Sequence, residues 1–213
     1  MDPFFSSHTI FDIPHYRLIN PEKIAFKRPD YLSFEREEVL RLLSSVLGFK
    51  GLIELKHQRN GAPFLDCFPD IKLSISHCKS AVSVLLSKSY PFVGIDIEEI
   101  SERPLRVRQK FMTREELLMF DSEDDNLCGD KQRMRIATVI WSAKEALYKA
   151  YSSHIPTLQL NNIRCNEDLS NRELNLEQES SLSFQIEIDN HKFDSMVEVK
   201  LIDNNLLIAY ILA

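Results

Sequence analysis

Glycine is scarce in this chain, with five residues in 213. Neither G-x-x-x-x-G-K-[ST] nor G-x-G-x-x-G occurs, which argues against a P-loop or a dinucleotide fingerprint, since both rely on glycine turns to bring backbone N–H groups against phosphate. The four cysteines, Cys67, Cys78, Cys128 and Cys165, are far apart and form no C-x-x-C pair. They are expected to be reduced thiols, not a zinc site or a disulfide frame. Apart from His77, the histidines at 8, 15, 57, 154 and 191 show no metal-ligand spacing. No apolar run approaches the roughly 20 residues of a membrane span. The opening "MDPFFSSHTIFDIPHY" lacks the basic segment and apolar core of a secretory signal, so a cytoplasmic protein away from membranes is expected. Positive charge is in the minority, 26 Lys and Arg against 32 Asp and Glu, for a net charge of −6. No nucleic-acid partner is expected on that balance, and an anionic ligand must be met by a local basic patch.

With 44% hydrophobic residues the chain can bury a substantial core. "SFEREEVLRLLSSVLG" reads as a helix, with Ser33 as its cap, Val39, Leu40, Leu43, Val46 and Leu47 at helical spacing, and Gly48 ending it. "KLSISH", "AVSVLLS" and "FVGIDIE" follow as three expected strands. Thr113 opens a second helix, "TREELLMF"; the acidic "DSEDDNLCGDKQR" is expected as a surface loop, and a long helix through "WSAKEALYKA" comes next. Ser152 to Ser180 is expected to be irregular. "LSFQIEI", "SMVEVKLI" and "LLIAYIL" are expected as three closing strands, separated by "DNHKFD" and "DNN". The order of elements predicts an α+β fold of two similar halves, 1–93 and 94–213. Each would be a helix packed on a three-stranded, mostly antiparallel sheet, with a ligand cleft between them.

The residues able to do chemistry are spread over both halves. Alternation along "VGIDIEEI" puts Asp96 and Glu98 on one face of a strand and Ile95 and Ile97 on the other. Two parallel carboxylates suit a hard cation such as Mg²⁺, though a solvent-facing strand would show the same pattern. Ser76 and His77 end a strand, where hydroxyl and imidazole can donate to phosphate or simply make a turn. In "WSAKEALYKA", Ile136, Ala137, Ile140, Trp141, Leu147, Tyr148 and Tyr151 form one apolar face; Lys144 falls inside it, and Glu145 and Lys149 flank it at i and i+4. A helix salt bridge and a snorkelling lysine are the plain reading of that trio. Arg103, Arg106, Arg108, Lys110 and Arg114 make "SERPLRVRQKFMTREE" locally basic, either as a solvated face or as a dock for an acidic partner. Glu116 stands three residues after Thr113, the spacing of a capping box. Lys23, Lys27 and Arg28 make a second basic cluster.

The succession "NGAPFL", "SISH", "VGIDIE", "FMTREE" and "WSAKEALYK" resembles the 4′-phosphopantetheinyl transferase family, and in particular its larger class, in which one chain holds two similar halves as a pseudodimer. The motif match runs from Arg59 to Lys149; the flanks match in element order only. The resemblance implies transfer of the 4′-phosphopantetheine arm of coenzyme A to a serine of an apo acyl or peptidyl carrier protein, leaving adenosine 3′,5′-bisphosphate. It implies that Asp96, Glu98 and Glu145 hold Mg²⁺ (or Mn²⁺) against the pyrophosphate, with Lys149 on the same group. Ser76 and His77 would bind coenzyme A phosphate, His77 near the 3′-phosphate. Glu116 matches a family glutamate near the metal, in competition with its capping-box reading. Glu145 is the candidate base for the carrier serine, and Lys144 is expected to lay its stem beside Trp141 with its ammonium emerging near the ligand. The basic strip Arg103 to Arg114 would dock the carrier.

This sequence departs from the family pattern at "GAP", where Ala62 stands in place of the usual lysine; Arg59 or Lys56 would have to substitute. The N-terminal phosphate contacts match only loosely, to Lys23 or Lys27 and to Arg41. Since a pseudodimer supplies both walls of its own cleft, a monomer is expected. Two other functions share these residues: a Mg²⁺-dependent phosphohydrolase, and a carrier-binding relative without catalysis.

Overall fold

The computed structural model describes residues 11–19, 28–121, 130–167 and 179–213. Its strands are β1 (Pro14–Leu18), β2 (Leu55–His57), β3 (Pro63–Leu65), β4 (Lys72–Cys78), β5 (Ala81–Ser87), β6 (Val93–Glu99), β7 (Ile163–Cys165), β8 (Ser180–Ile188), β9 (His191–Leu201) and β10 (Leu206–Leu212). Its α-helices are α1 (Arg28–Leu47), α2 (Glu102–Val107), α3 (Arg114–Asp121) and α4 (Asp130–Tyr151). Every strand pairing is antiparallel, in sheets ordered β1-β5-β4, β6-β10-β9-β8-β7 and the hairpin β2-β3. The fold is therefore α+β.

The assignment of strands to sheets departs from the expected three and three. β5 is buried along its whole length, and its two edges are taken by β4 and by β1, an N-terminal strand not expected from the sequence. No edge of β5 remains for β6, which pairs with β10 instead, Ala209 opposite Asp96 and Ile211 opposite Gly94. β10 lies between two strands and is buried on both faces, which accounts for its nearly unbroken apolar run. β7 comes from the stretch expected to be irregular. The β8–β9 connection is only Asp189-Asn190, both at positive φ as a primed two-residue hairpin turn requires, so "HKFD" belongs to β9 and not to a loop.

α1 begins at Arg28, with Pro29 in its first turn, so Ser33 lies inside the helix and is not its cap. Its end is as expected. Gly48 takes φ 60°, its N–H donates to Ser45 O, and Phe49 N–H donates to Ser44 O, a Schellman arrangement. α3 carries the expected capping box: Thr113 N–H donates to Glu116 Oε2 (2.6 Å) and Glu116 N–H to Thr113 Oγ1 (3.2 Å). Of the expected acidic loop, 122–129 lie outside the described residues, and α4 already includes Asp130 to Arg133.

One core packs α1 on the first sheet, through Val39, Leu43, Leu47, Leu73, Val82 and Val84. Another packs α4 on the five-stranded sheet, through Ala143, Leu147, Leu182, Phe184, Val197 and Leu207. The two sheets meet at β4 and β6. There Leu85 joins Ile95 and Tyr210, Ala81 joins Ile97, and Ile95 N–H donates to Ser74 Oγ at 3.1 Å. No described helix is long and apolar enough to cross a membrane.

Candidate active site

β6 and α4 together place the acidic side chains. Ile95 and Ile97 go into the apolar seam between the sheets, so the alternating residues Gly94, Asp96 and Glu98 face α4. Each meets a different turn of that helix. Gly94 lies against Ala146, Asp96 Oδ1 accepts from Lys149 Nζ at 2.8 Å, and Glu98 Oε1 accepts from Trp141 Nε1 at 2.9 Å. Lys149 also donates to Ile95 O (3.0 Å) and Ser76 Oγ (2.9 Å), and Ser76 Oγ donates to Asp96 Oδ1 (2.8 Å). Ser76 and His77 thus diverge. Ser76 is buried against Asp96, while His77, on the opposite face of β4, looks toward α1, where Glu35 Oε1 lies 2.9 Å from its Nδ1.

The electrostatics are those of a negative cluster short of positive charge. Burial, then the nearby charge of Asp96, pushes the Glu98 carboxyl up to about 7, against the hydrogen bond from Trp141 and the charges of Arg103 and Lys149. The same two causes raise Glu145. Asp96 Oδ2 is buried and has no hydrogen-bond partner among the described residues. Among the described residues no three His, Cys, Asp or Glu side chains converge as a ready ligand set. The fit to a divalent cation rests on donor chemistry: an orphaned carboxylate oxygen beside two carboxyls that ionise reluctantly, all hard oxygen donors.

A buried carboxyl whose pKa is raised on folding favours the protonated form. The metal-free protein therefore loses stability as pH climbs from about 4.5 to 7, by up to about 3 kcal/mol for Glu98. A cation bound there relieves the penalty only where the carboxyl would be ionised. Mg²⁺ is accordingly expected to raise Tm more at pH 8 than at pH 5.5, measured by calorimetry; equal shifts at both would contradict this assignment.

Beside the cluster opens a cleft of about 450 Å³ between α1, the β2–β3 hairpin, β4 and the end of α4. His77, Lys149, Tyr148, Ser152, Arg36 and the Gly61-Ala62-Pro63 turn are among its lining. Asn60 Nδ2 ties the hairpin to the turn that follows α4 by donating to Ser153 Oγ at 2.9 Å. A larger groove of about 930 Å³ lies elsewhere, along α3, β8 and β9. It contains neither Lys149, which bonds Asp96, nor His77, both of which line the smaller cleft, so the smaller cleft is the candidate site.

Several candidates take other places. Tyr148 is not core: it is exposed and lines the cleft with Lys149 and Ser152, and the i, i+4 spacing of Tyr148 and Ser152 could have revealed it. Arg41 pairs with Glu37 and Glu38, whereas Arg36 lines the cleft. Lys56 is held by Asp66 and Glu54, and Arg59 is exposed on the β2–β3 connection. Lys23 and Lys27 lie outside the described residues. The basic strip divides: Arg103 acts electrostatically on Glu98 and Glu145, Arg106 and Lys110 are exposed on and after α2, and Arg114 lines the larger groove with Arg164 and Lys192. Arg108 Nη1 donates to Leu105 O.

Lys144 does not emerge near a ligand. It is fully buried, and its ammonium donates to Glu116 Oε2 (2.5 Å) and Phe111 O (2.8 Å), while Glu116 Oε1 accepts from Cys165 N–H at 2.8 Å. Glu116 is thus engaged by its own helix cap, by α4 and by β7. Lys144→Met leaves that carboxylate buried without its counter-charge and is expected to cost about 3–5 kcal/mol. Adding Glu116→Gln should recover much of the loss, read as Tm in the single and double variants.

Residues 92–210, more than half of the chain, match the family model described as the 4′-phosphopantetheinyl transferase superfamily. No curated protein matches the chain.

Proposed function

The chain belongs to the 4′-phosphopantetheinyl transferase superfamily, and from that premise we propose that it transfers the 4′-phosphopantetheine arm of coenzyme A to a serine of an apo acyl or peptidyl carrier protein. The observation that carries this reading is the position of Lys149. Its ammonium stands between the cleft and Asp96, where a pyrophosphate bound in the cleft would meet the acidic cluster. The reading includes the larger, pseudodimeric class, with halves 1–93 and 94–213 forming the two walls and the chain acting as a monomer.

In the reaction the serine oxygen attacks the phosphorus that carries the pantetheine, and the bridging P–O bond breaks. The electron pair leaves on adenosine 3′,5′-bisphosphate. Lys149 binds and orients the pyrophosphate and offsets its charge. Glu145, a carboxyl raised by burial, accepts the serine proton. His77 and Arg36 bind the nucleotide end of the donor, and the apolar lining of Val39, Leu55 and Leu73 excludes water from it. A divalent cation held by Asp96, Glu98 and Glu145 would neutralise charge on the pyrophosphate and on the leaving group.

The test is an intact-mass assay with coenzyme A, Mg²⁺ and a panel of apo carrier proteins, with Glu145→Gln as control. Addition of one phosphopantetheine, absent in the control, supports the reading. Phosphate release without an acceptor would replace it with a hydrolase, and coenzyme A binding without transfer would leave a binding relative. Carrier docking on α2 has its own check. Reversing charge at Arg106 and Arg108 is expected to raise KM for the carrier several-fold more than KM for coenzyme A; equal effects would remove that surface from the account.

A further inference from the structure

Glu35 takes no part in the reaction just described, yet its carboxylate is buried in the wall of the cleft, 5% exposed. A carboxylate so enclosed is costly unless it is paired. Its neighbour is the half-exposed imidazole of His77, with Nδ1 2.9 Å from Oε1. With Nδ1–H donated to Glu35, Nε2 is the nitrogen left for a ligand, and rotation of the ring about its long axis is stopped. The same arrangement, an outer carboxylate setting the tautomer and heading of a ligand-binding imidazole, tunes affinity at metal centres. Here the inner partner would be an anion. The cleft is sparing with other positive groups: Ala62 presents only a methyl, Arg36 is the arginine in the lining, Lys149 is paired with Asp96, and His57 on β2 is the other imidazole. The orientation of one imidazole therefore counts for more than it would in a lysine-rich site.

We propose that Glu35 is a positioning residue for the donor: it holds His77 so that Nε2 engages the 3′-phosphate of coenzyme A, and thereby sets discrimination against donors that lack this phosphate. The inference rests on reading the cleft as the coenzyme A site. A simple tie between α1 and β4 would also use this contact, but it would not distinguish one donor from another.

The experiment compares transfer kinetics and calorimetric binding for coenzyme A and 3′-dephospho-coenzyme A. The proteins are the wild-type chain, Glu35→Gln, Glu35→Ala, His77→Ala and the double alanine variant. Glu35→Ala is expected to raise KM for coenzyme A about tenfold, with kcat, and KM for the dephospho donor, within about twofold of wild type. Glu35→Gln, which can still accept from Nδ1–H without a charge, should fall between. The double variant should be no worse than His77→Ala alone. Equal losses on both donors, or none on either, overturn the role of Glu35 and leave the transferase reading standing. A wild-type chain that neither binds nor uses coenzyme A overturns both.

Discussion

Lys149→Met is expected to lower kcat/KM for phosphopantetheine transfer roughly 10²–10³-fold, the range seen when one preorganised group facing developing charge is removed. The side chain has two duties that the variant would end together. It offers a charge to the pyrophosphate, and it neutralises Asp96, which is 4% exposed and already carries one oxygen without a partner. Removing the ammonium leaves a buried carboxylate with the Ser76 hydroxyl as its remaining side-chain partner among the described residues, so a fall in Tm accompanies the loss of rate. The two effects separate in Lys149→Met with Asp96→Asn. Stability should return because the buried charge is gone, and activity should not. Recovery of activity in the double variant would mean that Lys149 serves Asp96 and not the substrate.

How much of this was readable in advance depends on how local the cause is. The capping box of α3 and the stop at Gly48 follow from neighbours in sequence, and the alternation of Asp96 and Glu98 against Ile95 and Ile97 from the pleat of one strand. The sheet that β6 joins does not. It is decided by β1, some eighty residues earlier, which occupies the free edge of β5. Lys144 shows the limit of reading a single helix. Periodicity places it in the apolar face, but only the Glu116 carboxylate, arriving on α3, makes full burial of an ammonium tolerable, and burial still lowers its pKa. Ser76 and His77 look like a pair because they are adjacent in sequence; adjacent residues on a strand face opposite ways, and these two serve different partners. Arg36 and Glu35 carried no motif at all. Their relevance comes from α1 lying over the cleft, a tertiary fact.

Gly94→Ala is expected to be severely destabilising. A Cβ at this position would stand 1.9 Å from Ala146 O, 2.8 Å from the Ala146 carbonyl carbon and 3.1 Å from Ala150 Cβ. The first two are backbone atoms inside α4, so no side-chain rotation relieves the clash. The strand cannot retreat either, because Gly94 is paired with Ile211 in β10. Either the helix moves off the sheet or the ladder opens, and the cost is expected to exceed about 4 kcal/mol, a fall in Tm of about 10 °C or more for a chain of this size. The close approach has a use beyond packing. With no Cβ between them, α4 lies near enough to β6 for Lys149 to reach Ile95 O and Asp96, and for Trp141 to reach Glu98. Any Gly94→Ala protein that does fold should therefore lose transfer out of proportion to its folded fraction, measured by active-site titration beside circular dichroism. Ala146→Gly should not rescue it, since the atom in the way is a carbonyl oxygen that glycine keeps. Wild-type stability and rate in Gly94→Ala would show that strand and helix do not meet in this way, and the geometry proposed for the metal cluster and Lys149 would fall with that contact.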